Sequence, residues 1–365
     1  MASGVIFSIY CFYKYGSGVY GSIAVLTSTT ALFQILLLSG LDKKSFSYGR
    51  SGAYISFIIG CIWSLSFSIP VALLIYYWIY SIFEISFFSQ TVCLLFLVQN
   101  VASRWENYAV GQNNYFKLLI FRLSNLIFII SLIALDSLDV IGGFERFFYI
   151  KVFFGSLFSI SFLLPSHSVD WSNNGKSVWE LFKSTIHTGI KFSFAPVFAH
   201  IAPQLGLQFF ASAIGVDGFG VIHIILRLGQ VLSNLSKALV RVFYFSNTAY
   251  KLNFNVINFS IGFLIFVSVI GVMIGSVFNS SLAITAIACV TVNLIVSPVN
   301  SYLLFKVYDD DRTKDFGMSA NLGAGGSLII TLLASYLQSN ELYLVGASSS
   351  VLFSYLVLWK SYAER

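Results

Sequence analysis

The sequence has little charge. Asp, Glu, Lys and Arg make up 10% of its 365 residues, against roughly 25% in ordinary soluble domains. Charged side chains are costly in hydrocarbon, whereas apolar side chains, here 57% of the chain, are stable there. The composition excludes a soluble enzyme and an intrinsically disordered chain. It predicts an all-α membrane protein, because helices satisfy their own backbone hydrogen bonds within lipid.

Cysteine is also scarce. The four cysteines lie far apart in apolar runs, with no CxxC spacing: Cys11, Cys61, Cys93 and Cys289. This pattern predicts small buried side chains and excludes a disulfide-stapled secreted module. It indicates no metal site, and nothing in the sequence indicates a cofactor.

Apolar segments of about 20 residues are long enough to cross a bilayer as helices. The chain has one short apolar segment, Met1–Tyr13, and eleven of full length. These are Tyr20–Leu41, Gly52–Tyr80, Phe88–Val110, Tyr115–Leu135, Phe144–Pro165, Gly189–Ile214, Gly218–Phe245, Val256–Phe278, Ser281–Phe305, Phe316–Leu337 and Leu342–Tyr362. The sequence therefore predicts a polytopic protein of about 12 transmembrane helices, with a kink at Pro70 in the longest segment.

The basic residues alternate between the predicted loops. One set of loops and the C-terminal tail carry 17 of the 21 Lys and Arg residues, the other set carries only Lys14, Arg146 and Lys151, and Arg227 falls inside a span. The positive-inside rule then places both termini in the cytoplasm. The net charge of +6 thus reports orientation in a membrane, and a nucleic-acid partner is not expected.

Residues 166–188 form the longest predicted loop and would separate an N-terminal half, 1–165, from a C-terminal half, 189–365. Part of this loop has apolar side chains at helical spacing: Val178, Trp179, Leu181, Phe182 and Ile186. The spacing predicts an amphipathic helix on the cytoplasmic interface. An ordinary polar linker remains the alternative.

A short motif recurs in the two predicted halves. The sequence Gly-Ser-Gly-Val-Tyr-Gly at Gly16–Gly21 returns as Gly-Val-Asp-Gly-Phe-Gly at Gly215–Gly220, 199 residues later. Each copy lies in a predicted outer loop just before a long helix. Six crossings separate the copies, so the repeats would be parallel, which favours a transporter with two six-helix halves around a central cavity.

The eighth span carries a polar stripe. Its members follow one another at steps of three and four residues: His223, Arg227, Gln230, Asn234, Lys237 and Arg241. On a helix they lie within an arc of about 80°. Arg227 would be about 14 Å deep, where a guanidinium costs at least about 2.5–3.5 kcal/mol unless it faces water or a partner. We expect the stripe to line a hydrated cavity, although Lys237 and Arg241 could equally reach the cytoplasmic surface.

Further candidates lie on two other spans. His200 and Gln204 share a face of the seventh span with Gln208, in a stretch interrupted by Pro196 and Pro203. Broken helices at this depth are tolerated where they line a cavity, but the glutamines fit interhelical packing equally well. Arg122, with Asn125, is predicted to face inward near the cytoplasmic end of the fifth span.

The charged side chains expected to line the cavity are positive. Every acidic residue falls in a predicted loop or at a helix edge, whereas a cation-coupled or drug exporter would be expected to bury a carboxylate. A cationic cavity suits an anionic substrate, since arginine binds phosphate oxygens in a bidentate manner and lysine supplies a point charge.

In motifs and helix order, the chain resembles the bacterial O-antigen flippases (Wzx type), in the polysaccharide-transport branch of the multidrug/oligosaccharidyl-lipid/polysaccharide exporter superfamily. The similarity rests on the turn at Tyr15–Gly21, the segment Leu38–Leu41 before the basic loop to Arg50, the motif Ala211–Gly220 with its polar following helix, and the Gly111–Gln112 turn. The short first helix departs from the family pattern.

The resemblance implies a substrate class. Such flippases move undecaprenyl-pyrophosphate-linked oligosaccharides from the inner to the outer leaflet of the bacterial cytoplasmic membrane, for surface polysaccharide synthesis. Membrane lipids and the polysaccharide polymerase machinery are the other partners this implies.

Three alternatives remain. A drug exporter of the same superfamily would share the fold. A polysaccharide polymerase or lipid-linked glycosyltransferase would need a large outer loop, whereas the longest one predicted here is about 136–143. A structural membrane protein would not need a deep arginine stripe.

Overall fold

The computed structural model describes the backbone of residues 2–38, 52–163, 178–194, 197–245, 284–292 and 313–363, with positions 41, 45, 48, 49 and 296. These residues are almost entirely helical, and no strand occurs among them. The helices are α1 (Ala2–Leu38), α2 (Tyr54–Ser66), α3 (Ser68–Phe83), α4 (Gln90–Arg104), α5 (Glu106–Gly111), α6 (Tyr115–Ser137), α7 (Phe144–Leu163), α8 (Val178–Phe194), α9 (Val197–Phe245), α10 (284–292), α11 (Thr313–Leu337) and α12 (Asn340–Ala363).

Several helices are suited to a membrane. Four stretches in the described part of the chain are long and apolar enough to cross a bilayer: Tyr115–Ser137, Phe144–Leu163, Ile201–Arg227 and Met318–Leu337. The bent pair α2 and α3 would provide a fifth. The chain is therefore an all-helical protein suited to several membrane crossings. The prediction of twelve crossings remains a prediction, and the ninth span, Val256–Phe278, lies outside the described residues.

The predicted kink near Pro70 is present, three residues earlier than the proline. Helices α2 and α3 meet at Phe67 with a bend of 40°. Pro70 is the third residue of α3 and has no N–H to donate to the carbonyl of Ser66, so the hydrogen-bond ladder is interrupted there. A second break, at Trp105, was not predicted and divides the expected span Phe88–Val110 into α4 and α5.

The amphipathic helix predicted in the central loop is α8, but it is longer than expected. It runs from Val178 to Phe194 and takes in the first residues of the predicted seventh span, Gly189–Ile214. One face carries stacked rings of Trp179 and Phe182, and Phe182 also contacts Trp63 of α2 at 6.2 Å between ring centroids. The next helix begins at Val197, and the start of the seventh crossing at Gly189 stays a prediction.

The chain divides into two compact units. The N-terminal unit contains Ala2–Tyr15 and Val25–Phe194, and the C-terminal unit contains Met1, Gly16–Ala24 and Ala195–Arg365. The first glycine motif therefore belongs with the C-terminal residues, which the predicted halves 1–165 and 189–365 did not anticipate.

Each unit has its own buried core. In the N-terminal unit, Trp105, Phe147 and Phe148 are almost completely buried. In the C-terminal unit, Phe210 of α9 stacks on Tyr343 of α12 with ring centroids 3.9 Å apart. Helices α11 and α12 approach closely in the same unit, where the Ser327 hydroxyl donates to the carbonyl of Gly346 at 2.6 Å. Small residues allow this spacing, as is common for helices in membranes.

Candidate functional site

The two copies of the repeated motif have the same backbone conformation. Gly16 interrupts α1 with φ 88° and ψ 171°, and Gly215 interrupts α9 with φ 78° and ψ 163°. Glycine is the residue that enters this region without steric cost. The 199-residue offset therefore relates two identical helix breaks, which supports the internal repeat.

The two motifs also contact each other reciprocally within the C-terminal unit. A Cβ on Gly21 would lie 2.9 Å from the carbonyl carbon of Val216, and a Cβ on Gly220 would lie 2.9 Å from that of Ser17. Gly21 and Gly220 are equivalent positions of the repeat, as are Ser17 and Val216. The same contact is thus made twice with the roles of the copies exchanged, which is the signature of a local two-fold relation.

His223 contacts residues of both motifs. Its Nδ1 is 3.0 Å from the hydroxyl of Tyr20, and its ring centroid is 5.7 Å from that of Tyr20 and 5.5 Å from that of Phe219. Tyr20 and Phe219 are buried and are again equivalent positions of the repeat. The predicted site residue His223 is therefore held between one aromatic ring from each motif.

Arg227 follows His223 by one helical turn on the same face of α9. Its side chain is partly buried, and it belongs to the apolar stretch Ile201–Arg227. The ion pairs of the described residues involve Lys14 and Arg122, and none of them includes Arg227. Arg227 therefore presents a positive charge without a carboxylate partner in the described part of the chain.

The rest of the predicted stripe is only partly described. The backbone of Gln230, Asn234, Lys237 and Arg241 is helical and continues α9, but their side chains lie outside the described residues, as does the side chain of His200. The prediction that these side chains line a cavity remains a prediction.

The two glutamines of the predicted seventh span, Gln204 and Gln208, lie in the first part of α9. Gln208 is buried, and Gln204 is partly exposed. Pro203 lies inside α9 with helical backbone around it, so the predicted interruption at this proline is not seen. The start of α9 is capped by Asn321, whose Oδ1 accepts from the Ala199 N–H at 3.0 Å. No hydrogen-bond partner is recorded for Gln204 among the described residues, so a role in substrate contact remains a hypothesis.

Arg122 lies on α6 in the N-terminal unit. Its guanidinium pairs with the carboxylate of Glu106 at 2.6 Å, with 55% of the Arg122 side chain exposed. The sequence analysis did not predict this partner. The charge of Arg122 is already stabilised by Glu106 and by solvent, so Arg122 is a weaker candidate for binding an anionic substrate than Arg227.

Sequence reasoning missed a buried carboxylate. Asp136 was assigned to the outer loop 136–143, but it lies inside α6 and is 1% exposed. Its Oδ2 accepts hydrogen bonds from Tyr10 at 2.8 Å and Tyr15 at 2.5 Å, and the ammonium of Lys14 is 3.4 Å away. These donors come from α1, more than 120 residues distant, so no local pattern could have found them.

Sequence reasoning also missed a lysine within a span. Lys151 was counted with the loops, but it lies seven residues inside α7. Its ammonium is 5.0 to 5.7 Å from the ring centres of Phe7, Phe96 and Phe148, and 3.5 Å from Oε1 of Gln99. A lysine in an apolar run is itself a signal of a functional or specially paired residue, and that signal was available in the sequence.

The chain matches no protein-family model, no curated protein and no solved structure.

Proposed function

We propose that the chain is a flippase, which moves undecaprenyl-pyrophosphate-linked oligosaccharides across the bacterial cytoplasmic membrane for surface polysaccharide synthesis. The observation that carries the proposal is Arg227, a guanidinium in an apolar helix with no carboxylate partner among the described residues. Such a charge is costly in a membrane unless water or an anionic ligand reaches it. A pyrophosphate offers the bidentate acceptors that a guanidinium binds best.

The glycine turns support movement by alternating access. The reciprocal contacts of Gly21 and Gly220 bring the two motifs to the limit of backbone approach, and both motifs lie in predicted outer loops. Parting of the two turns would break this backbone contact together with the hydrogen bond between Tyr20 and His223. A cavity that is closed outside by this contact would open outside when the two turns part.

A drug exporter of the same superfamily is the second candidate. Such a transporter would be expected to use a buried carboxylate, and Asp136 is buried. Asp136, however, lies in the last turn of α6 and already accepts from two tyrosines beside the Lys14 ammonium. The negative charge of Asp136 is thus balanced by groups of the protein itself, so we favour the flippase.

Substitution of Arg227 tests the proposal in the host cell. Losing one charge-assisted contact, worth roughly 1.5–3 kcal/mol, should slow export about 10- to 150-fold. Arg227→Ala should therefore reduce surface polysaccharide and cause lipid-linked units to accumulate on the inner leaflet, while Arg227→Lys retains part of the export. The matched control is Arg146→Ala, which removes an exposed guanidinium and should change neither quantity. Normal polysaccharide display by Arg227→Ala, at matched protein level, would contradict the proposal.

A further inference from the structure

A polar cavity lies in the N-terminal unit. It has a volume of about 460 Å³ and is lined, among the residues that the structure describes, by Gly49, Gln112, Asn113 and Asn114. The last three residues form the turn between α5 and α6. Ligand pockets commonly have volumes of about 300–1,000 Å³, so the cavity can hold a small organic group.

The wall of this cavity is held in place by the backbone. The N–H groups of Gln112, Asn113 and Asn114 donate to carbonyls of the preceding helix at 2.8 to 3.0 Å, and Asn113 has a left-handed φ of 57°. Gly49 fits tightly against the turn, since a Cβ there would lie 2.5 Å from the carbonyl oxygen of Tyr108. The backbone N–H groups of the turn are therefore used within the protein, and its remaining polar groups are backbone carbonyls and three carboxamide side chains.

The carboxamides are themselves positioned. Gln112 donates from Nε2 to the hydroxyl of Tyr108 at 2.6 Å, and the Tyr108 ring stacks on Phe57 with centroids 3.9 Å apart. Asn114 accepts the backbone N–H of Lys117 at 3.2 Å. A carboxamide has two N–H donors and an oxygen with two lone pairs, so the contact with Tyr108 does not use the full hydrogen-bonding capacity of Gln112.

The chemistry of the wall favours a neutral, hydroxyl-rich ligand. Hydroxyl groups both donate and accept, as carboxamides do, whereas the oxygens of a fully ionised phosphate only accept and are bound most strongly by cationic donors. None of the described residues that line the cavity is charged. The neighbouring cation, Lys117, has its ammonium 5.4 Å from the centre of the Phe162 ring.

We propose that this cavity, between Gly49 and the turn Gln112–Asn114, is a saccharide-binding site that receives the oligosaccharide part of the lipid-linked substrate. The turn joins the predicted fourth and fifth spans on the predicted cytoplasmic side, where the sugar would be presented before transport. This role as a loading site rests on the proposed function, whereas saccharide binding itself does not. Phosphate recognition would then belong to Arg227 and sugar recognition to the carboxamides.

Binding to the purified protein in lipid nanodiscs tests the site. The probes are the neutral oligosaccharide released by mild acid from the host's own surface polysaccharide and, separately, inorganic pyrophosphate. The test variant combines Gln112→Leu with Asn113→Gly, because glycine keeps the left-handed backbone at 113 while removing the carboxamide. The matched control is Asn107→Ala, which removes a carboxamide from the same short helix at a position that does not line the cavity.

The wild type and the control should bind the oligosaccharide, and the double variant should bind it at least about tenfold more weakly, equivalent to about 1.4 kcal/mol. Pyrophosphate binding should be the same in all three proteins. No oligosaccharide binding by the wild type at millimolar concentration, or equal binding by the double variant, would overturn the proposal. Loss of pyrophosphate binding in the double variant would make the cavity a phosphate site and overturn it too. Normal export by Arg227→Ala would contradict the flippase function while leaving this measurement valid.

Discussion

The close contact of the two glycine motifs gives a quantitative prediction. A Cβ on Gly220 would lie 2.9 Å from the carbonyl carbon of Ser17 and 3.1 Å from the backbone nitrogen of Gly21, whereas ordinary contact begins at 3.4 Å. Both neighbours are backbone atoms and cannot rotate away. The carbonyl oxygen of Ser17 lies closer still to this Cβ, so Gly220→Ala must push the two turns apart by more than about 1 Å. Overpacking of this kind typically costs about 1–3 kcal/mol, so the population with the turns in contact should fall roughly 5- to 140-fold.

The glycines of the two motifs provide a graded series of controls. Gly21→Ala makes the equivalent clash with the backbone of Val216, so it should match Gly220→Ala. Gly18→Ala meets only the carboxylate end of the Asp217 side chain, which can move aside at little cost. Gly218→Ala meets the Ile214 side chain at 3.4 Å, which is ordinary contact, and should have little effect.

Disulfide formation across the contact measures this population. A Cβ on Gly18 would lie 3.1 Å from Cγ of Asp217, which is near the place of a cysteine sulfur. The pair Gly18→Cys and Asp217→Cys, in a chain whose four native cysteines are replaced by alanine, should cross-link rapidly under mild oxidation. Adding Gly220→Ala should slow the cross-link within the predicted range, and adding Gly218→Ala should not. Equal rates in the two proteins would refute the packing argument.

The remaining predictions concern burial and topology. Asp136→Ala removes the shared acceptor of Tyr10 and Tyr15, and of these two hydroxyls that of Tyr10 keeps its contact with Ser137 at 3.2 Å. The substitution should destabilise the protein by roughly 1–3 kcal/mol in thermal unfolding, whereas Asp139→Ala, at a side chain that is 90% exposed, should have little effect. Lys151→Glu places a carboxylate against three ring faces that carry partial negative charge, so it should lower folded yield after heating, while Lys151→Arg keeps the protein folded. Lys151→Glu with wild-type heat resistance would show that the rings do not select a cation. For topology, reporters fused after two outer positions should be periplasmic and after two inner positions cytoplasmic, and one reversal would overturn the predicted orientation. The outer positions are Asp139 and Asp217, and the inner positions are Lys176 and Lys251.

Composition and periodicity were sufficient for the helical class and for much of the helix order. The apolar segment Phe144–Pro165 corresponds closely to α7, and Leu342–Tyr362 lies within α12. These predictions succeed because helix formation in an apolar chain depends on neighbours along the sequence. The similar φ and ψ angles of Gly16 and Gly215 also follow from the local sequence, because equivalent glycines in a repeated motif meet the same steric limits.

Helix boundaries were harder to predict from the sequence. The apolar pattern of the sequence did not predict the break at Trp105 or the extension of α8 to Phe194. Trp105 is completely buried and packs its ring at 5.2 Å from Phe57. The position of such a break depends on where a large side chain finds space in another helix, and hydropathy carries no information about that space.

Only the tertiary structure decided which polar groups meet. Asp136 was expected in water because it stands at the end of an apolar run, yet it is buried beneath Tyr10 and Tyr15 of α1. Arg122 of α6 pairs with Glu106 of α5, and the sequence did not predict this pairing. The sequence determined how few charged residues there are and where they lie along the helices. Their partners depended on how the helices pack, both for consecutive helices, as with Arg122 and Glu106, and for distant ones, as with Asp136 and α1. The free energy of a charge in an apolar protein is set by the groups around it in space.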